Sequence, residues 1–211
     1  MPDYSREAAA SGHVAGIDEV GRGAWAGPVF AAAAILSARA AATPELAGLD
    51  DSKTISKTTR EQYFDALTRA HDRGDAWLAL GRAEPAEIDA LNILGATMLA
   101  MQRAVTALPV TPDSVLVDGN RVPDMPCPAE AIVKGDGLVL SIAAASIYAK
   151  VSRDRLMADL ARDCPGYGWE RNVGYGTREH QDALARLGAT VHHRKSFAPI
   201  KKFAPETATS R

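Results

Sequence analysis

Four acidic side chains beside short apolar runs could meet at one edge of a β-sheet: Asp18, Glu19, Asp118 and Asp136. A carboxylate buried in a strand is costly unless something pairs with it. Because neighbours in a strand point to opposite faces, Asp18 and Glu19 cannot both face solvent on a half-buried sheet. Four converging carboxylates would repel one another without divalent cations between them. Hard oxygen ligands select Mg²⁺ or Mn²⁺, so the sequence predicts a carboxylate metal centre.

A simpler interpretation makes Asp118 and Asp136 turn residues, because each precedes a glycine and Asp-Gly is a common turn dipeptide. That interpretation suffices for either residue alone but explains the adjacent Asp18 and Glu19 poorly. Two-metal sites favour in-line displacement at phosphorus, where one ion lowers the pKa of the attacking water and the other stabilises the departing oxygen. The sequence offers no Ser/His/Asp or Cys/His arrangement as a comparable nucleophile.

The glycine turn after the first acidic pair, Gly21-Arg22-Gly23-Ala24-Trp25-Ala26-Gly27, could also be a dinucleotide fingerprint. Its third glycine comes one residue late, and the run that follows does not look like an amphipathic helix. The turn is therefore interpreted as backbone that a ligand can approach closely, next to an arginine.

The elements that must position these residues are predicted from apolar patterning. Residues 14–20 and 28–36 predict a β-hairpin, although the alanine content of the second run keeps a helix as an alternative. Ser56 or Thr58 caps a helix, and a long helix begins at Pro85. Strands are expected at 76–81, 114–117 and 131–133, and helices at 141–162 and 178–187. This order predicts an α/β domain with a helical C-terminal part.

Composition bounds the remaining possibilities. The chain has 211 residues, of which 46% are hydrophobic, and its formal net charge is −2. These values exclude a disordered chain, and no apolar run is long enough to cross a membrane. The N-terminus does not resemble a signal peptide, and Cys127 and Cys164 lack metal-site spacing, so we expect two reduced thiols in a cytoplasmic protein.

Several motifs, taken together, resemble the signature of bacterial type 2 ribonuclease H, or ribonuclease HII. The blocks follow the family's order from Val14 to about Lys201: Ala15-Gly16-Ile17-Asp18-Glu19-Val20-Gly21-Arg22-Gly23, Ala26-Gly27-Pro28-Val29, Asp51-Ser52-Lys53, Glu87-Ile88-Asp89, Leu91-Asn92-Ile93, Val117-Asp118-Gly119-Asn120, Val133-Lys134-Gly135-Asp136, Ala143-Ala144-Ala145-Ser146-Ile147, Ala149-Lys150-Val151, Gly174-Tyr175-Gly176-Thr177, His193-Arg194 and Ser196-Phe197.

The resemblance implies an endoribonuclease that cuts the RNA strand of RNA/DNA hybrids and nicks duplex DNA at embedded ribonucleotides, leaving 3′-hydroxyl and 5′-phosphate ends. It implies a role in ribonucleotide removal during DNA replication and repair. The implied fold is ribonuclease H-like, with a mixed central β-sheet flanked by helices and a helical C-terminal extension. The implied partners are these nucleic acids; we expect a monomer without membrane association, and no protein partner is identifiable.

The resemblance also assigns residues. It implies that Asp18, Glu19, Asp118 and Asp136 form the catalytic set and bind two divalent ions, Mn²⁺ or Mg²⁺. It assigns Gly21, Arg22 and Gly23 to the ribose 2′-hydroxyl and Tyr175 to the RNA–DNA junction. The substrate contacts expected from the basic and hydroxyl residues are Ser52, Lys53, Lys150, Arg153, Arg194 and Lys195, with a solvated surface charge as the alternative for the cations.

The chain departs from the family pattern at Val173, where a basic residue is frequent, so a phosphate contact could move to Arg171 or Arg178. We interpret His180, His192 and His193 as structural or substrate-side residues, not metal ligands. Expected boundaries are a loose arm over 1–13, a catalytic core over 14–160, a helical substrate-binding part over 161–203 and a loose tail over 204–211. The short arm leaves no room for the N-terminal domain typical of type 3 enzymes.

Two further classes compete less well. A non-catalytic hybrid-binding module would lack the carboxylates, and a small-molecule phosphatase would need a closed pocket. The charge distribution supports a nucleic-acid substrate: residues 150–211 carry 12 Lys and Arg against 7 Asp and Glu. A basic segment beside a metal-neutralised acidic centre suits a phosphate backbone.

Overall fold

The computed structural model of the protein describes residues 1–46, 48, 49, 52 and 55–203. Lys53 and the predicted tail over 204–211 lie outside the described residues. In chain order the elements are α1 Ser5–Ala9, β1 Val14–Val20, β2 Val29–Leu36, α2 Ala38–Ala41, α3 Lys57–Asp72, β3 Ala76–Ala83, α4 Pro85–Thr106, β4 Ser114–Asp118, β5 Ala129–Ile132, α5 Leu140–Asp163, α6 Trp169–Asn172, α7 Arg178–Leu187 and α8 Ala198–Lys201.

The five strands form one mixed sheet in the order β3-β2-β1-β4-β5. The predicted hairpin is confirmed, because β1 and β2 pair antiparallel; β4 and β5 extend the sheet in parallel. The alanine-rich run of β2 is a strand because both of its faces are covered, a position that favours continuous apolar sequence over alternation. β5 begins two residues earlier than the sequence predicts.

Helices cover both faces of this sheet. One core cluster joins alternate residues of β2, such as Ala32 and Ala34, to α3 and α5. The other joins the intervening residues, such as Ala31 and Ala33, to α4. The small side chains allow the helices to approach closely: a Cβ at Gly16 of β1 would lie 2.3 Å from the backbone nitrogen of Ile142 in α5. None of the described helices is long and apolar enough to span a bilayer.

The first residues of the chain are anchored, which differs from the loose arm expected over 1–13. Tyr4 donates its hydroxyl hydrogen to the Leu36 carbonyl at 2.8 Å. Glu7 is buried, and its Oε1 accepts from the Ser141 amide at 2.8 Å. This carboxylate thereby satisfies one of the free amides at the start of α5, as a capping residue would.

Two helices differ in detail from their predicted form. Ser56, and not Thr58, caps α3, because its Oγ accepts from the Thr59 amide at 3.1 Å. The long helix α4 is interrupted at Asn92, whose φ of 60° is non-helical. The Asn92 side chain accepts from the Leu94 amide at 2.9 Å and caps the second segment. The predicted long helix therefore consists of two helical segments with a kink between them.

The C-terminal segment packs through a small core of its own beside the end of α5. Trp169 and Tyr167 stack at the centre of this cluster, which also contains Met157 of α5 and Ala26 of the glycine turn. The segment after α5 is therefore in direct contact with the loop that follows β1.

Candidate active site

Three of the four acidic residues meet where the central strands end. Asp18 lies near the end of β1, Asp118 ends the neighbouring parallel strand β4, and Asp136 lies in the 3₁₀ turn Gly135–Gly137 before α5. One carboxylate oxygen from each lies within 4.8 Å of the other two. The parallel pairing of β1 and β4 accounts for this meeting, because both strands run to the same edge of the sheet.

Glu19 stands at the rim of this group. It is less buried than Asp18, and its Oε1 forms an ion pair with Arg22 Nη1 at 3.0 Å. A cleft of about 210 Å³ opens beside Glu19 and Asp118 and is bordered by Arg121 and by Met98 of α4. Because adjacent strand residues point to opposite faces, the Asp18 carboxylate lies in the interior and the Glu19 carboxylate lies at the cleft.

Electrostatics make Asp18 the most perturbed member of the group. Burial, together with the nearby charges of Glu19 and Asp118, raises the pKa of Asp18 to about 8, while the hydrogen bonds of this carboxylate with Ser146 and the Glu19 amide oppose the rise. The Glu19 amide donates to Asp18 Oδ1 at 2.7 Å. A buried carboxylate that is held among like charges gains from a nearby cation. The donor set fits Mg²⁺ or Mn²⁺, because all its ligand atoms are carboxylate oxygens.

The predicted role of Ser52 as a phosphate contact is not what the structure shows. Ser52 is buried, and its Oγ lies 2.8 Å from Ser146 Oγ of α5. Because the Ser146 side chain also interacts with the Asp18 carboxylate, Ser52 packs behind the acidic cluster. Sequence reasoning missed Ser146 in this position; the available signal was a hydroxyl within an otherwise alanine-rich stretch of α5.

The glycine turn after β1 lies against Arg153 of α5. Gly21 has a φ of 89°, which favours glycine. A Cβ at Gly21 would lie 2.2 Å from Arg153 Nε, so the close approach also excludes a side chain. Arg22 and Gly23 are exposed. The turn therefore exposes two residues next to a buried arginine, and one of them, Arg22, lines the cleft.

Arg194 and Arg153 correct the expectation of phosphate contacts at the surface. Both side chains are fully buried. Arg194 donates from Nε to the Gly27 carbonyl and from Nη1 to the Arg22 carbonyl, at 3.0 and 2.8 Å. Arg153 likewise donates to main-chain carbonyls. Arginines in a basic segment are usually expected to be exposed, and no local sequence pattern indicates that these two are buried.

Tyr175 is 38% exposed next to the glycine turn. Its ring carbon Cε1 would lie 3.6 Å from a Cβ at Gly23, so the ring lies directly beside the turn. The Tyr175 carbonyl accepts a hydrogen bond from His180 Nδ1 at 3.0 Å. The main chain of Tyr175 is thus held from the protein interior, while part of its ring remains accessible.

His180 and His193 form a buried pair beneath Tyr175. The Thr190 amide donates to His193 Nδ1 at 2.9 Å, which leaves the hydrogen on His193 Nε2. His193 Nε2 lies 3.0 Å from His180 Nε2, which also accepts from Trp169 Nε1. These bonds assign one neutral tautomer to each ring.

Much of the remaining positive charge near the site is paired. Lys150 Nζ lies 2.7 Å from Asp154 Oδ1. Arg171, a predicted replacement for a contact at Val173, forms ion pairs with Glu170 and Glu179. Lys150 and Arg171 line one surface groove together with Lys57, Arg60 and Arg155. This groove holds the predicted cation Lys150 one helical turn after Ser146.

Comparisons of the sequence with known proteins identify one family, and solved structures share its fold. A sequence model of the family described as Ribonuclease HII matches residues 15–200. A ribonuclease HII from Rhodospirillum rubrum is 57% identical over 208 residues, covering 99% of this chain and 94% of the relative. The ribonuclease H2 structure from Pyrococcus horikoshii OT3 shares the fold, with a TM-score of 0.73, 24% identity and coverage of 90% and 96% of the two chains. A structure of Bst-RNase HIII in complex with Mn²⁺ has a TM-score of 0.67 at 22% identity, covering 91% and 69%.

Proposed function

The chain belongs to the ribonuclease HII family of metal-dependent endoribonucleases, which cut the RNA strand of RNA/DNA hybrids, and we propose that it does so at the carboxylate cluster. Asp18, Asp118 and Asp136 would bind divalent ions, with Glu19 completing the set from the rim. The observation that carries this proposal is the convergence of three carboxylate oxygens within 4.8 Å.

The residues present suit this role in charge and in donor type. Mg²⁺ or Mn²⁺, when bound, supplies the Lewis acidity that phosphodiester hydrolysis needs. Asp18 accepts from the Glu19 amide and Asp118 accepts from the Gly135 amide, each at 2.7 Å. These bonds hold the two carboxylates in fixed orientations, and the ion pair with Arg22 holds Glu19.

We assign recognition of the ribonucleotide to the glycine turn and to Tyr175. Main-chain groups of Gly21, Arg22 and Gly23 would reach the 2′-hydroxyl, which both donates and accepts hydrogen bonds. The Tyr175 ring, partly exposed beside Gly23, would pack on the sugar that follows the ribonucleotide. Lys150 and its groove would border the phosphate backbone.

The cellular role that we propose follows from the substrate. Nicking at embedded ribonucleotides in duplex DNA serves ribonucleotide removal during replication and repair. We place this work in the cytoplasm and expect the monomer to suffice. The substrate-binding part is proposed to be residues 161–203, which pack against the glycine turn through Ala26 and Trp169.

The test compares the wild type with Asp18→Asn on three duplexes: an RNA/DNA hybrid, DNA carrying one ribonucleotide, and all-DNA. Cleavage is measured with Mg²⁺ and with Mn²⁺, and Mn²⁺ binding is measured by calorimetry. We expect the wild type to cut the first two and spare the third, and the variant to lose cleavage.

Asp159→Asn is the matched control, because Asp159 lies on α5 in an exposed pair with Arg162. It should keep full cleavage. Full activity in Asp18→Asn, or equal cutting of the all-DNA duplex by the wild type, would refute the proposed site or the proposed specificity, respectively.

A further inference from the structure

Two fully buried arginines pack against the glycine turn. Arg153 belongs to α5, and Arg194 lies between α7 and α8. Their guanidinium groups donate five hydrogen bonds, all to main-chain carbonyls and all between 2.8 and 3.1 Å: Arg153 bonds Pro28, Val173 and Ala26, and Arg194 bonds Gly27 and Arg22.

Neither guanidinium has a carboxylate within ion-pair distance among the described residues. A buried charge without an opposite charge is expensive. Burial lowers the pKa of Arg194 to about 9, with Arg153 adding to the effect, and burial also lowers the pKa of Arg153. Arginine is not deprotonated in proteins, so both groups carry a positive charge. The carbonyl bonds are therefore the main compensation for two buried charges.

The bond to Arg22 fixes the direction of a main-chain donor. The carbonyl of Arg22 points inward to Arg194. In a trans peptide the next amide points the opposite way, so the Gly23 N–H points away from the buried arginine. Gly23 is exposed beside the Tyr175 ring.

The same arginines connect the glycine turn to the segment that carries Tyr175. Arg153 donates to the Val173 carbonyl of that segment and to the Ala26 carbonyl of the glycine turn. The amides of Trp25 and Ala26 donate to the Gly174 carbonyl, and the Arg194 amide donates to the Trp25 carbonyl. The glycine turn and the segment that carries Tyr175 are thus one connected unit.

We propose that Arg153 and Arg194 are positioning residues that set the discrimination between ribose and deoxyribose by orienting the main chain of the glycine turn. This inference rests on the proposed function, in which that turn recognises the 2′-hydroxyl. The arginines do not touch the substrate; they hold the atoms that do. Their planar forks suit this task, because each bonds several carbonyls in a fixed geometry.

The test uses Arg194→Lys and Arg153→Lys, which keep a positive charge but lose the fork. Duplex DNA carries at one position a ribonucleotide or its 2′-deoxy-2′-fluoro analogue, and kcat/KM is measured for both. In each variant we expect the ratio of ribonucleotide to fluoro cleavage to fall about tenfold, the loss of one well-made hydrogen bond. Mn²⁺ affinity should stay within about twofold of the wild type, because the acidic cluster is unchanged.

Arg103→Lys is the matched control. Arg103 likewise donates to a main-chain carbonyl, that of Arg82, but it pairs with Glu87 and lies on α4. A wild-type ratio near one would refute recognition of the 2′-hydroxyl and the inference with it. A high wild-type ratio that persists in both folded lysine variants would refute the inference alone.

A wild-type measurement covers the case in which a variant does not fold. Amide ¹⁵N relaxation of Gly21 and Gly23 should give order parameters near the rigid-backbone value of about 0.85. Values below about 0.6 would overturn the proposal, because a turn held by two arginines cannot move that freely.

Discussion

Acidification should destabilise the protein through His193. This side chain is 1% exposed, and burial together with the neighbouring rings of His180 and His192 lowers the pKa of His193 from 6.5 to about 4. Its Nδ1 already accepts from the Thr190 amide, so a proton on that nitrogen would face a donor. The native protein therefore keeps His193 neutral well below the pH at which an unfolded chain would protonate it.

The sign and the size of the effect follow from linkage. As pH falls, the unfolded state takes up the proton first, so the stabilisation from neutral His193 is complete above pH 6.5 and is lost as pH falls toward 4. Between pH 7.5 and pH 5 this single group should remove about 2 kcal/mol from the free energy of unfolding. Other groups titrate over the same range, so a comparison of variants isolates this term.

The assay is urea unfolding followed by tryptophan fluorescence between pH 7.5 and pH 5, for the wild type and His193→Gln. Glutamine keeps a donor toward His180 but does not titrate. We expect the wild type to lose about 2 kcal/mol more than the variant over this range. His13→Gln, which removes an exposed ring near Trp77, is the control and should follow the wild type. Parallel curves for the wild type and His193→Gln, or an NMR titration of the His193 ring above pH 6, would refute the reasoning.

Two further predictions concern the N-terminal anchor and the cleft. Glu7→Ala removes the acceptor for the Ser141 amide and should lower the free energy of unfolding by about 1–2 kcal/mol in a denaturant titration; a loss no larger than that of Glu130→Ala, which breaks an exposed pair with Arg6, would contradict this. Tyr175→Ala should lose cleavage at a single ribonucleotide while Mn²⁺ binding measured by calorimetry is unchanged, and unchanged cleavage would refute the role assigned to Tyr175.

The acidic cluster could be predicted from sequence because its signals are local. Each carboxylate comes at or just after a short apolar strand, and strand polarity alone brings such ends together. Asp18 and Asp118 met this expectation through the parallel pairing of β1 and β4. The hairpin and the helices α5 and α7 are predictable for the same reason, because their apolar patterns are local.

The arginines could not be placed in this way. Arg194 bonds a carbonyl 172 positions earlier in the chain, and Arg153 bonds one 127 positions earlier. At such separations only the finished fold decides whether a cation faces solvent or the interior. Glu7 is a similar case, because its partner Ser141 lies 134 positions away. Its sequence neighbourhood resembles a polar terminus, so a loose arm was the natural expectation.

The burial of these arginines changes how the charge distribution works. Residues 150–211 carry a net charge of +5, which by itself suggests a surface for phosphates. Two of its cations instead face inward, and Lys150 is paired with Asp154. These two buried cations therefore hydrogen-bond to the main chain of the glycine turn and the residues around it, and they do not face solvent. The turn lies between the buried Asp18 carboxylate of β1 and the buried guanidinium groups of Arg153 and Arg194. One short loop therefore connects the groups proposed for hydrolysis with those proposed to recognise the sugar. A change in that loop should alter specificity before it alters metal binding.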